Sequence, residues 1–485
     1  MALPHGYEMV IGLEVHAQVN TNSKLFSASS VAFGAEPNTQ ANEIDLGMPG
    51  MLPVLNHAAV DAGIKLGLAI DAEVAEESVF ARKNYFYPDL PKGYQISQFE
   101  LPIVVGGQLE IEVEGPEGKE KRVIGITRMH LEEDAGKSIH DMGAGNVSYV
   151  DLNRAGVPLM EIVSEPDLRT PEEAGAYLKK LRNLVRFLDI CDGDMEKGNF
   201  RCDANVSVRK AGEAFRTRCE IKNLNSVRHV MHAIAHEADR QIEIYEAGGE
   251  VSQETRLWDP DANETRTLRS KEDAHDYRYF PDPDLLPLRL EESRIEAIRA
   301  TMPKLPDAIA DELVTHGLSD ADAAVIVADK DNVTFYEAML VEGADVKLAC
   351  NWMIVELFGV LNREGKEIAE SPISATQLAA LVKLISSGEI SGKIAKTIFA
   401  EMLENGGNPA AIVAAKGLAQ NSDEDELLAH IQAAIAAQPE TVEKYKATEN
   451  ERLLGAFVGH VMKATKGQAN PGLVNRLLLE ELAKR

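Results

Sequence analysis

The most regular alternating segment of the chain is Met9-Val10-Ile11-Gly12-Leu13-Glu14-Val15-His16-Ala17-Gln18-Val19. Apolar residues occupy every second position, which is the pattern of a β-strand with one buried face. Alternation places Glu14, His16 and Gln18 together on the opposite face, with successive side chains about 7 Å apart. The segment therefore predicts a strand that carries an acid and an imidazole on its polar side.

The composition around this strand is that of a globular protein. The chain has 485 residues, of which 45% are hydrophobic and 26% are charged. These fractions exclude collagen-like, coiled-coil and largely disordered chains. At about 150 residues per domain, the length predicts about three domains. Fifty basic and 78 acidic side chains give a net charge of −28, so any contact with nucleic acid is expected to be local.

The cysteines and the N-terminal residues indicate the cellular compartment in which the protein is expected. Cys191, Cys202, Cys219 and Cys350 form no CxxC pair and are too few for a disulfide framework, which is typical of a reducing compartment. The N-terminal residues have no basic region before an apolar core, so no signal peptide is expected. No apolar stretch reaches the roughly 18 residues that a transmembrane helix needs. We therefore expect a soluble cytoplasmic protein that has no membrane partner.

A change in composition near residue 290 divides the chain. Residues 1–290 are rich in glycine, proline and short alternating segments, and Thr170-Pro171-Glu172-Glu173 predicts a capped helix start. The remainder is rich in alanine and leucine at helical spacing, with a break at Gly406-Gly407-Asn408-Pro409. The predicted fold class is α+β, with a mixed domain over 1–290, a helical domain over 291–405 and a helical tail over 406–485.

A second group of acids follows an apolar segment, in Arg128-Met129-His130-Leu131-Glu132-Glu133-Asp134. Adjacent carboxylates repel one another unless water or a cation separates them. Magnesium prefers carboxylate oxygens and keeps water and substrate phosphate in its other positions. Glu14, Glu132 and Glu133, with His16 as a less usual ligand, are therefore candidates for a magnesium site. A polar strand edge and an acidic turn without metal explain the same residues.

Further acids and a lysine extend these candidates. Asp203 and Glu220 lie in short strand-like segments that also carry asparagine side chains. Gly136-Lys137-Ser138 resembles the end of a P-loop, but Leu131 occupies the position of the first glycine, so the motif is not a Walker sequence. Lys137 is a candidate phosphate contact as a point charge, and a surface turn explains the same spacing.

The end of the chain is basic, in contrast to the whole. Residues 452–485 contain six lysines or arginines and two glutamates, a local charge of +4. Lys463, Lys466 and Arg476 flank a predicted break between two helices at Gly467-Gln468-Ala469-Asn470-Pro471. Contacts to phosphates there predict shape-based, salt-sensitive RNA binding. A solvated basic helix is the alternative interpretation.

Taken together, these segments resemble the GatB family, the B subunits of aspartyl/glutamyl-tRNA amidotransferases. The resemblance extends over essentially the whole chain, including the basic tail. The segments that carry it are Gly12-Leu13-Glu14-Val15-His16, Phe33-Gly34-Ala35-Glu36-Pro37-Asn38, Arg82-Lys83-Asn84-Tyr85-Phe86-Tyr87-Pro88-Asp89, Tyr94-Gln95-Ile96-Ser97-Gln98, the acidic run with Ala135-Gly136-Lys137, Asp151-Leu152-Asn153-Arg154, Arg201-Cys202-Asp203-Ala204-Asn205, Lys222-Asn223-Leu224-Asn225, Asp276-Tyr277-Arg278-Tyr279-Phe280-Pro281 and Lys466-Gly467-Gln468-Ala469-Asn470-Pro471.

The resemblance implies a fold and a reaction. The fold is a cradle-shaped catalytic domain with mainly antiparallel strands, a helical domain and a helical tRNA-binding tail. The protein would act in a heterotrimer with the glutamine-hydrolysing amidase GatA and with GatC. ATP would phosphorylate the side-chain carboxylate of Glu-tRNA(Gln), Asp-tRNA(Asn) or both, and ammonia from the amidase would displace the phosphate.

The resemblance also assigns roles to the candidate residues. Glu14 and Glu133, with Glu132 or His16, would hold Mg²⁺, as phosphoryl transfer requires. Asp203 and Glu220 would serve a second ion or position ammonia, and Lys137 and Arg278 would contact phosphate. Residues 1–190 contain no cysteine, so no structural zinc is expected. A non-catalytic RNA-binding scaffold and a stand-alone metal-dependent phosphohydrolase are the competing hypotheses.

Overall fold

The computed structural model describes residues 3–115, 118–139, 147–270, 276–419, 423–448, 450–465 and 468–484. The chain divides into two compact units, of which the first ends at Leu305 and the second begins at Pro306. We call them the sheet unit and the helical unit. The predicted separation of residues 291–405 from a tail domain over 406–485 stays a prediction.

The sheet unit is built around one large sheet. Its strands run in the order β15-β14-β13-β12-β1-β11-β8-β6-β2, and β7 pairs with β8 beside this path. The neighbours pair antiparallel, except that β13 and β14 are parallel. The strands of the described chain are β1 Tyr7–Gln18, β2 Glu73–Val74, β3 Glu77–Ser78, β4 Ala81–Asn84, β5 Tyr94–Ser97, β6 Val104–Val105, β7 Gln108–Gly115, β8 Gly118–Glu133, β9 Lys137–Ile139, β10 Tyr149–Asp151, β11 Pro158–Ser164, β12 Phe200–Lys210, β13 Cys219–Leu224, β14 Glu254–Asp259, β15 Glu264–Ser270, β16 Phe280–Pro281 and β17 Leu288–Arg289.

Strand β1, which the alternation predicted as a strand with one buried face, lies inside this sheet between β11 and β12. Ile11, Leu13, Val15 and Ala17 are fully buried, whereas the polar residues between them keep partial exposure. The apolar side chains belong to one core cluster with residues of the helices that cover this face. At about 25 cal/mol per Å² of buried apolar area, this core is the main stabilising contribution to the unit.

Helices α1 to α4 belong to the sheet unit. They are α1 His57–Ala69, α2 Pro171–Phe187, α3 Val227–Glu246 and α4 Glu292–Arg299. The predicted start of α2 is confirmed: Thr170 accepts a hydrogen bond from Glu173 N through its side chain, at 3.1 Å. The Glu173 carboxylate in turn accepts from Arg169 N at 2.6 Å, so both polar groups of the cap have partners.

The elements in the described part of the helical unit are helices. This confirms the predicted α+β class, in which helical domains follow a mixed domain. Leu427, Phe457, Val461 and Leu478 belong to a hydrophobic core near its C-terminal end. No helix in the described part of the chain is both long enough and apolar enough to cross a membrane. The α-helices of the helical unit are α5 Pro306–Thr315, α6 Asp320–Val327, α7 Lys330–Val341, α8 Val346–Asn351, continued by a π-helical segment Trp352–Leu357, α9 Phe358–Glu364, α10 Ala375–Ser386, α11 Gly392–Asn405, α12 Pro409–Lys416, α13 Glu424–Ala436, α14 Pro439–Thr448, α15 Leu454–Ala464 and α16 Pro471–Ala483.

Candidate active site

The polar residues of β1 lie beside polar residues of the neighbouring strands. His16 lies opposite Glu161 of β11 and opposite Arg201 of β12. Glu161 in turn lies opposite His130 of β8. Because directly opposed residues of paired strands point to the same face, Arg201, His16, Glu161 and His130 form a polar row across four strands.

Three side chains on this face converge on one point. His16 Nε2 lies 3.2 Å from Glu161 Oε2 and 3.8 Å from Glu132 Oε1. One imidazole nitrogen and one oxygen from each carboxylate all lie within 4.8 Å of one another. We call His16, Glu132 and Glu161 the ligand cluster. Both carboxylates are buried, but the His16 side chain keeps 18% of its surface exposed, so solvent reaches the cluster.

Two further side chains orient these carboxylates. His130 Nε2 lies 3.7 Å from Glu132 Oε2 and 3.6 Å from Glu161 Oε2. The Ser97 hydroxyl donates to Glu132 Oε2 at 3.1 Å. Groups that hold the carboxylates of a metal site in place in this way contribute to the affinity for the ion.

The electrostatics of the cluster favour ionised carboxylates. Burial raises the pKa of Glu161, but His130 and His16 outweigh burial and hold it well below its usual value. Burial also raises the pKa of Glu132, and Lys83 and His130 lower it by more. Burial lowers the pKa of His16, whereas its hydrogen bond to Glu161 and the charge of that carboxylate raise it overall.

This donor set fits a divalent cation. Magnesium and manganese take carboxylate oxygens, and imidazole is a common ligand of transition metals. Donors around one magnesium ion lie about 3 to 4 Å apart, which is close to the separations within the ligand cluster. His16, Glu132 and Glu161 are therefore the described residues best arranged to hold such an ion.

Lys83 of β4 places a positive charge near the ligand cluster. Burial lowers the pKa of Lys83, but Glu132, Tyr279 and Glu161 outweigh burial and raise it. Its Nζ also lies 5.0 Å from the centroid of the Tyr277 ring. A lysine held protonated in this way is suited to meet a phosphate group.

A second group of acids lies on the same face, towards β13. Glu14 is opposite Asp203 in the register of β1 and β12. Lys222 Nζ lies 2.6 Å from Asp203 Oδ2 and 2.8 Å from Glu220 Oε1. Asn205 Nδ2 donates to Glu14 Oε1 at 2.9 Å. We call Glu14, Asp203, Glu220 and Lys222 the lysine-bridged cluster.

Charges within the lysine-bridged cluster also shift its pKa values. Burial raises the pKa of Glu14, and the negative charges of Glu161, Glu220 and Asp203 add to that rise. Burial lowers the pKa of Lys222, but Asp203 and Glu220 more than compensate and raise it overall. The lysine therefore remains an ammonium ion between two carboxylates.

Glu133 is bound to different partners from Glu132. Its Oε1 accepts from Lys92 Nζ at 2.6 Å, and its Oε2 accepts from Ile96 N at 3.0 Å. Successive residues of a strand point to opposite faces, which explains why Glu132 reaches the ligand cluster while Glu133 pairs with a lysine. The assignment of Glu133 to a metal stays a prediction.

The predicted phosphate contacts are exposed. Lys137 lies in β9, opposite Asp151 of β10. Arg278 has a φ of 44°, and its backbone N–H donates to Asp276 Oδ1 at 3.1 Å. Asn84 Nδ2 donates to the carbonyl oxygens of Tyr277 and Arg278, at 3.1 and 2.9 Å. Arg278 is thus held next to β4, the strand that carries Lys83.

The basic residues of the tail differ in their surroundings. Lys463 is exposed in the last turn of α15. Arg476 forms an ion pair with Glu424 of α13 and lies 3.2 Å from Glu480. Lys466 lies outside the described residues. The proposed tRNA contacts of all three stay predictions.

In and around the ligand cluster, sequence reasoning missed Glu161, His130, Ser97 and Lys83. Glu161 is the single charged residue in the otherwise buried or apolar strand Pro158–Ser164, and a buried acid requires a partner. That isolated charge could have identified Glu161 as a candidate site residue from the sequence. His130 and Lys83 were visible only as parts of longer motifs, with no feature that separated them from their neighbours.

Comparison with known families agrees with this geometry. Residues 9–296 match the family model described as the GatB/GatE catalytic domain, and this range contains both clusters. Residues 334–482 match the model described as the GatB domain. The two matches cover most of the sheet unit and most of the helical unit.

Full-length relatives match as well. The chain is 57% identical to the aspartyl/glutamyl-tRNA(Asn/Gln) amidotransferase B subunit of Thioalkalivibrio sulfidiphilus, over 98% of this chain and 99% of that protein. It is 56% identical to the same protein of Alkalilimnicola ehrlichii and 55% identical to that of Solidesulfovibrio magneticus, again over 98% of this chain and 99% of each relative. The chain therefore belongs to the GatB family of aspartyl/glutamyl-tRNA(Asn/Gln) amidotransferase B subunits.

Proposed function

We propose that this protein amidates the side-chain carboxylate of mischarged Glu-tRNA(Gln), Asp-tRNA(Asn) or both, at the expense of ATP. The observation that carries the proposal is the ligand cluster, which lies inside the range matched by the catalytic-domain model. The names of the full-length relatives, which are amidotransferases for these two tRNA types, support the same substrates.

The chemistry requires an activated carboxylate. A carboxylate oxygen leaves poorly until it carries a phosphoryl group, which ATP supplies. Phosphoryl transfer depends mostly on positioning and on neutralising charge. His16, Glu132 and Glu161 would hold Mg²⁺, which when bound supplies charge neutralisation on the phosphate oxygens. Lys83, Lys137 and Arg278 are proposed to add positive charge around the nucleotide.

The lysine-bridged cluster is proposed to position the amine. Asp203 and Glu220 accept hydrogen bonds from the ammonium group of Lys222, and their remaining lone pairs are proposed to accept hydrogen bonds from the ammonia of the second step. Ammonia attacks the acyl carbon, a C–N bond forms, and the C–O bond to phosphate breaks. Phosphate leaves with the bonding electron pair, and the excess proton of the new amide passes to a nearby oxygen.

The assembly is part of the proposal. The relatives are named as B subunits, which supports a multi-subunit enzyme, and we propose GatA as the source of ammonia and GatC as the third component. Because an acyl phosphate hydrolyses in water, ammonia is expected to arrive by a protected route. Lys463, Lys466 and Arg476 are proposed to contact tRNA, and the cytoplasm is the proposed location.

Two conservative variants test the catalytic role in the complex reconstituted with the amidase. Glu132→Gln and Glu161→Gln remove one charge each from the ligand cluster, and we expect amidation to fall about 100-fold or more. Glu8→Gln is the matched control, because Glu8 lies on β1 and binds Arg209 Nε at 2.7 Å. Wild-type rates in both cluster variants would contradict the proposal.

The same preparation separates the competing functions. A stand-alone phosphohydrolase would release phosphate from ATP without aminoacyl-tRNA or amidase. An RNA-binding scaffold would bind tRNA equally well in all three variants and would support no amidation in any preparation. The proposed function requires ATP, mischarged tRNA and ammonia together.

A further inference from the structure

Aromatic side chains form a continuous row that begins near the ligand cluster. Phe99 stacks on Tyr279, with ring centroids 4.3 Å apart and an interplanar angle of 8°. The row continues from Tyr279 through Tyr277 and Tyr85 to Tyr87, with centroid separations of 6.1, 6.0 and 5.9 Å. We call these five residues the aromatic row.

One end of the aromatic row lies within electrostatic range of the ligand cluster. Burial raises the pKa of Tyr279, Lys83 lowers it, and the charges of Glu132 and Glu161 add to the rise. Lys83 Nζ also lies 5.0 Å from the centroid of the Tyr277 ring. A group held on this part of the row would therefore lie beside Lys83, whose pKa is raised by the carboxylates of the ligand cluster.

The other end opens into a shallow surface cavity of about 470 Å³, whose lining includes Phe86, Tyr87, Pro88, Pro91 and Lys92. Phe86 is 87% exposed and Tyr87 is 43% exposed. Large exposed aromatic side chains beside a cavity mark interaction sites rather than core packing. The volume lies within the range of sites that hold small ligands or single bases.

Backbone pairing holds the aromatic row in place. Tyr85 directly follows β4, Tyr279 directly precedes β16, which pairs with β4, and Tyr277 lies two residues before Tyr279. Asn84 donates to the Tyr277 carbonyl oxygen from its backbone N–H at 2.9 Å and from its side chain at 3.1 Å. The rings are thus presented by paired strands, which limits the conformational entropy lost when a ligand binds.

We propose that the aromatic row binds the unpaired 3′-terminal nucleotides of the tRNA by stacking, and so delivers the aminoacyl group to the ligand cluster. This inference rests on the proposed function, because that function makes aminoacyl-tRNA the substrate. Unstacked bases at RNA ends are recognised by stacking on aromatic rings.

The length and the charge of the row favour this ligand over a mononucleotide. The row extends over five rings whose neighbouring centroids lie 4.3 to 6.1 Å apart, which is longer than a single base. Lys83 Nζ lies 5.0 Å from the centroid of the Tyr277 ring. This ammonium group gives local attraction for a phosphate in a chain whose net charge is −28.

The test uses the full-length chain and an RNA hairpin with four unpaired 3′ nucleotides, the last replaced by fluorescent 2-aminopurine. Stacking quenches this base, so we expect quenching by the wild-type protein. Tyr87→Leu removes the ring at the exposed end of the row, and Phe86→Leu removes the exposed ring that lines the cavity beside it. Each should weaken binding about tenfold, because stacking on one ring contributes about that factor per base. Tyr87→Phe keeps the ring and should bind within about twofold of wild type.

A blunt hairpin and ATP complete the experiment. The blunt hairpin should bind the wild type and all variants equally, and ATP affinity measured by calorimetry should not change. Absence of quenching, equal binding of the overhang by the leucine variants, or equal losses with the blunt hairpin would overturn the proposal. A tenfold loss of ATP affinity in place of the overhang effect would assign the row to the nucleotide and also overturn it.

The outcome is independent of the test of the proposed function. Hairpin binding needs no metal, ATP or amidase, so stacking can fail while the ligand-cluster variants still abolish amidation. Conversely, full amidation in those variants would reject the catalytic proposal and leave the hairpin result unaffected. Equal melting temperatures of the leucine and phenylalanine variants would show that the fold is unchanged.

Discussion

Two acidic clusters share one face of the same sheet, and they differ in what balances their charge. In the lysine-bridged cluster, the ammonium group of Lys222 lies within hydrogen-bonding distance of Asp203 and Glu220. In the ligand cluster, the carboxylates of Glu132 and Glu161 meet imidazoles instead. An imidazole gives up its proton far more readily than an ammonium group does.

This difference underlies the proposed division between a site for the amine and a site for the metal ion. The ammonium group of Lys222 lies between Asp203 and Glu220 and balances one of the negative charges of its cluster. An imidazole that gives up its proton when a metal ion binds leaves the negative charge of the carboxylates available and adds a nitrogen ligand. The two clusters therefore suit the two steps of the proposed reaction, in which a phosphoryl group is transferred first and a nitrogen nucleophile attacks second.

The largest expected effect is on Mn²⁺ affinity, when one acid from each cluster is replaced. Glu161→Gln should weaken Mn²⁺ binding by about 100-fold or more, because it removes a charged ligand. Glu220→Gln should change the Mn²⁺ affinity by less than about threefold, because that acid belongs to the other cluster. Electron paramagnetic resonance of free Mn²⁺ measures both. Equal losses in the two variants would remove the distinction between the clusters.

Glu237 of α3 can be compared with both clusters, because it is a fully buried carboxylate that is paired with arginines. Its Oε1 lies 2.7 Å from Arg240 Nη2, and its Oε2 lies 3.3 Å from Arg256 Nε. Glu237→Gln should lower the free energy of unfolding by about 2 kcal/mol at neutral pH, because it leaves buried charges without their partner. Urea denaturation of the two proteins measures this difference.

The pH dependence of that difference has a definite sign. Burial raises the pKa of Glu237, but Arg240, Gln241 and Arg256 hold it below the usual glutamate value. The stabilisation is therefore complete above the unfolded pKa of about 4.3 and is lost as the pH falls through the lower folded pKa. The gap between wild type and Glu237→Gln should shrink in acid. A gap that widened there would contradict this account.

A smaller effect is expected from Lys222→Met, which removes the bridge and leaves the acids of its cluster to repel one another. We expect the free energy of unfolding to fall by about 1 kcal/mol, because the pair is partly solvated. Lys222→Arg retains the charge and is the matched control. If the methionine variant were as stable as the arginine variant in urea, the bridge would contribute nothing to the fold.

The smallest expected effect is on the salt dependence of tRNA binding by the tail. There, too, two residues differ in what balances their charge, namely Lys463 and Arg476. Arg476 is paired with Glu424, whereas Lys463 has no carboxylate partner among the described residues. Lys463→Gln should lower the slope of log affinity for tRNA against log salt by about 0.9, and Arg476→Gln by less. Filter binding over a salt series measures both slopes. Unchanged slopes in both variants would remove the tail from the tRNA interface.

Local patterns in the sequence were sufficient for the parts of the fold that depend on neighbouring residues. The alternation of β1 placed Glu14 and His16 on one face, and the capped start of α2 followed from four residues. The same alternation separates Glu132 from Glu133, because adjacent strand residues point to opposite faces. Applied to that pair, it would have indicated that only one of them can share a face with His16.

Which residues meet in the site depends on how the strands pair, and this pairing could not be predicted from the sequence. Glu161 reaches His16 because β11 pairs with β1, and Lys83 approaches from a separate three-stranded sheet. The pairing of Arg476 with Glu424 likewise joins α16 to α13. Contacts between distant segments of this kind require the tertiary structure.

The central claim is that His16, Glu132 and Glu161 form the site for a divalent cation. Anomalous diffraction from crystals soaked in Mn²⁺ near neutral pH tests it most directly. We predict a peak bounded by His16 Nε2 and one oxygen from each of the two carboxylates. A peak between Asp203 and Glu220 with none at His16, or no peak on this face of the sheet at saturating Mn²⁺, would contradict it.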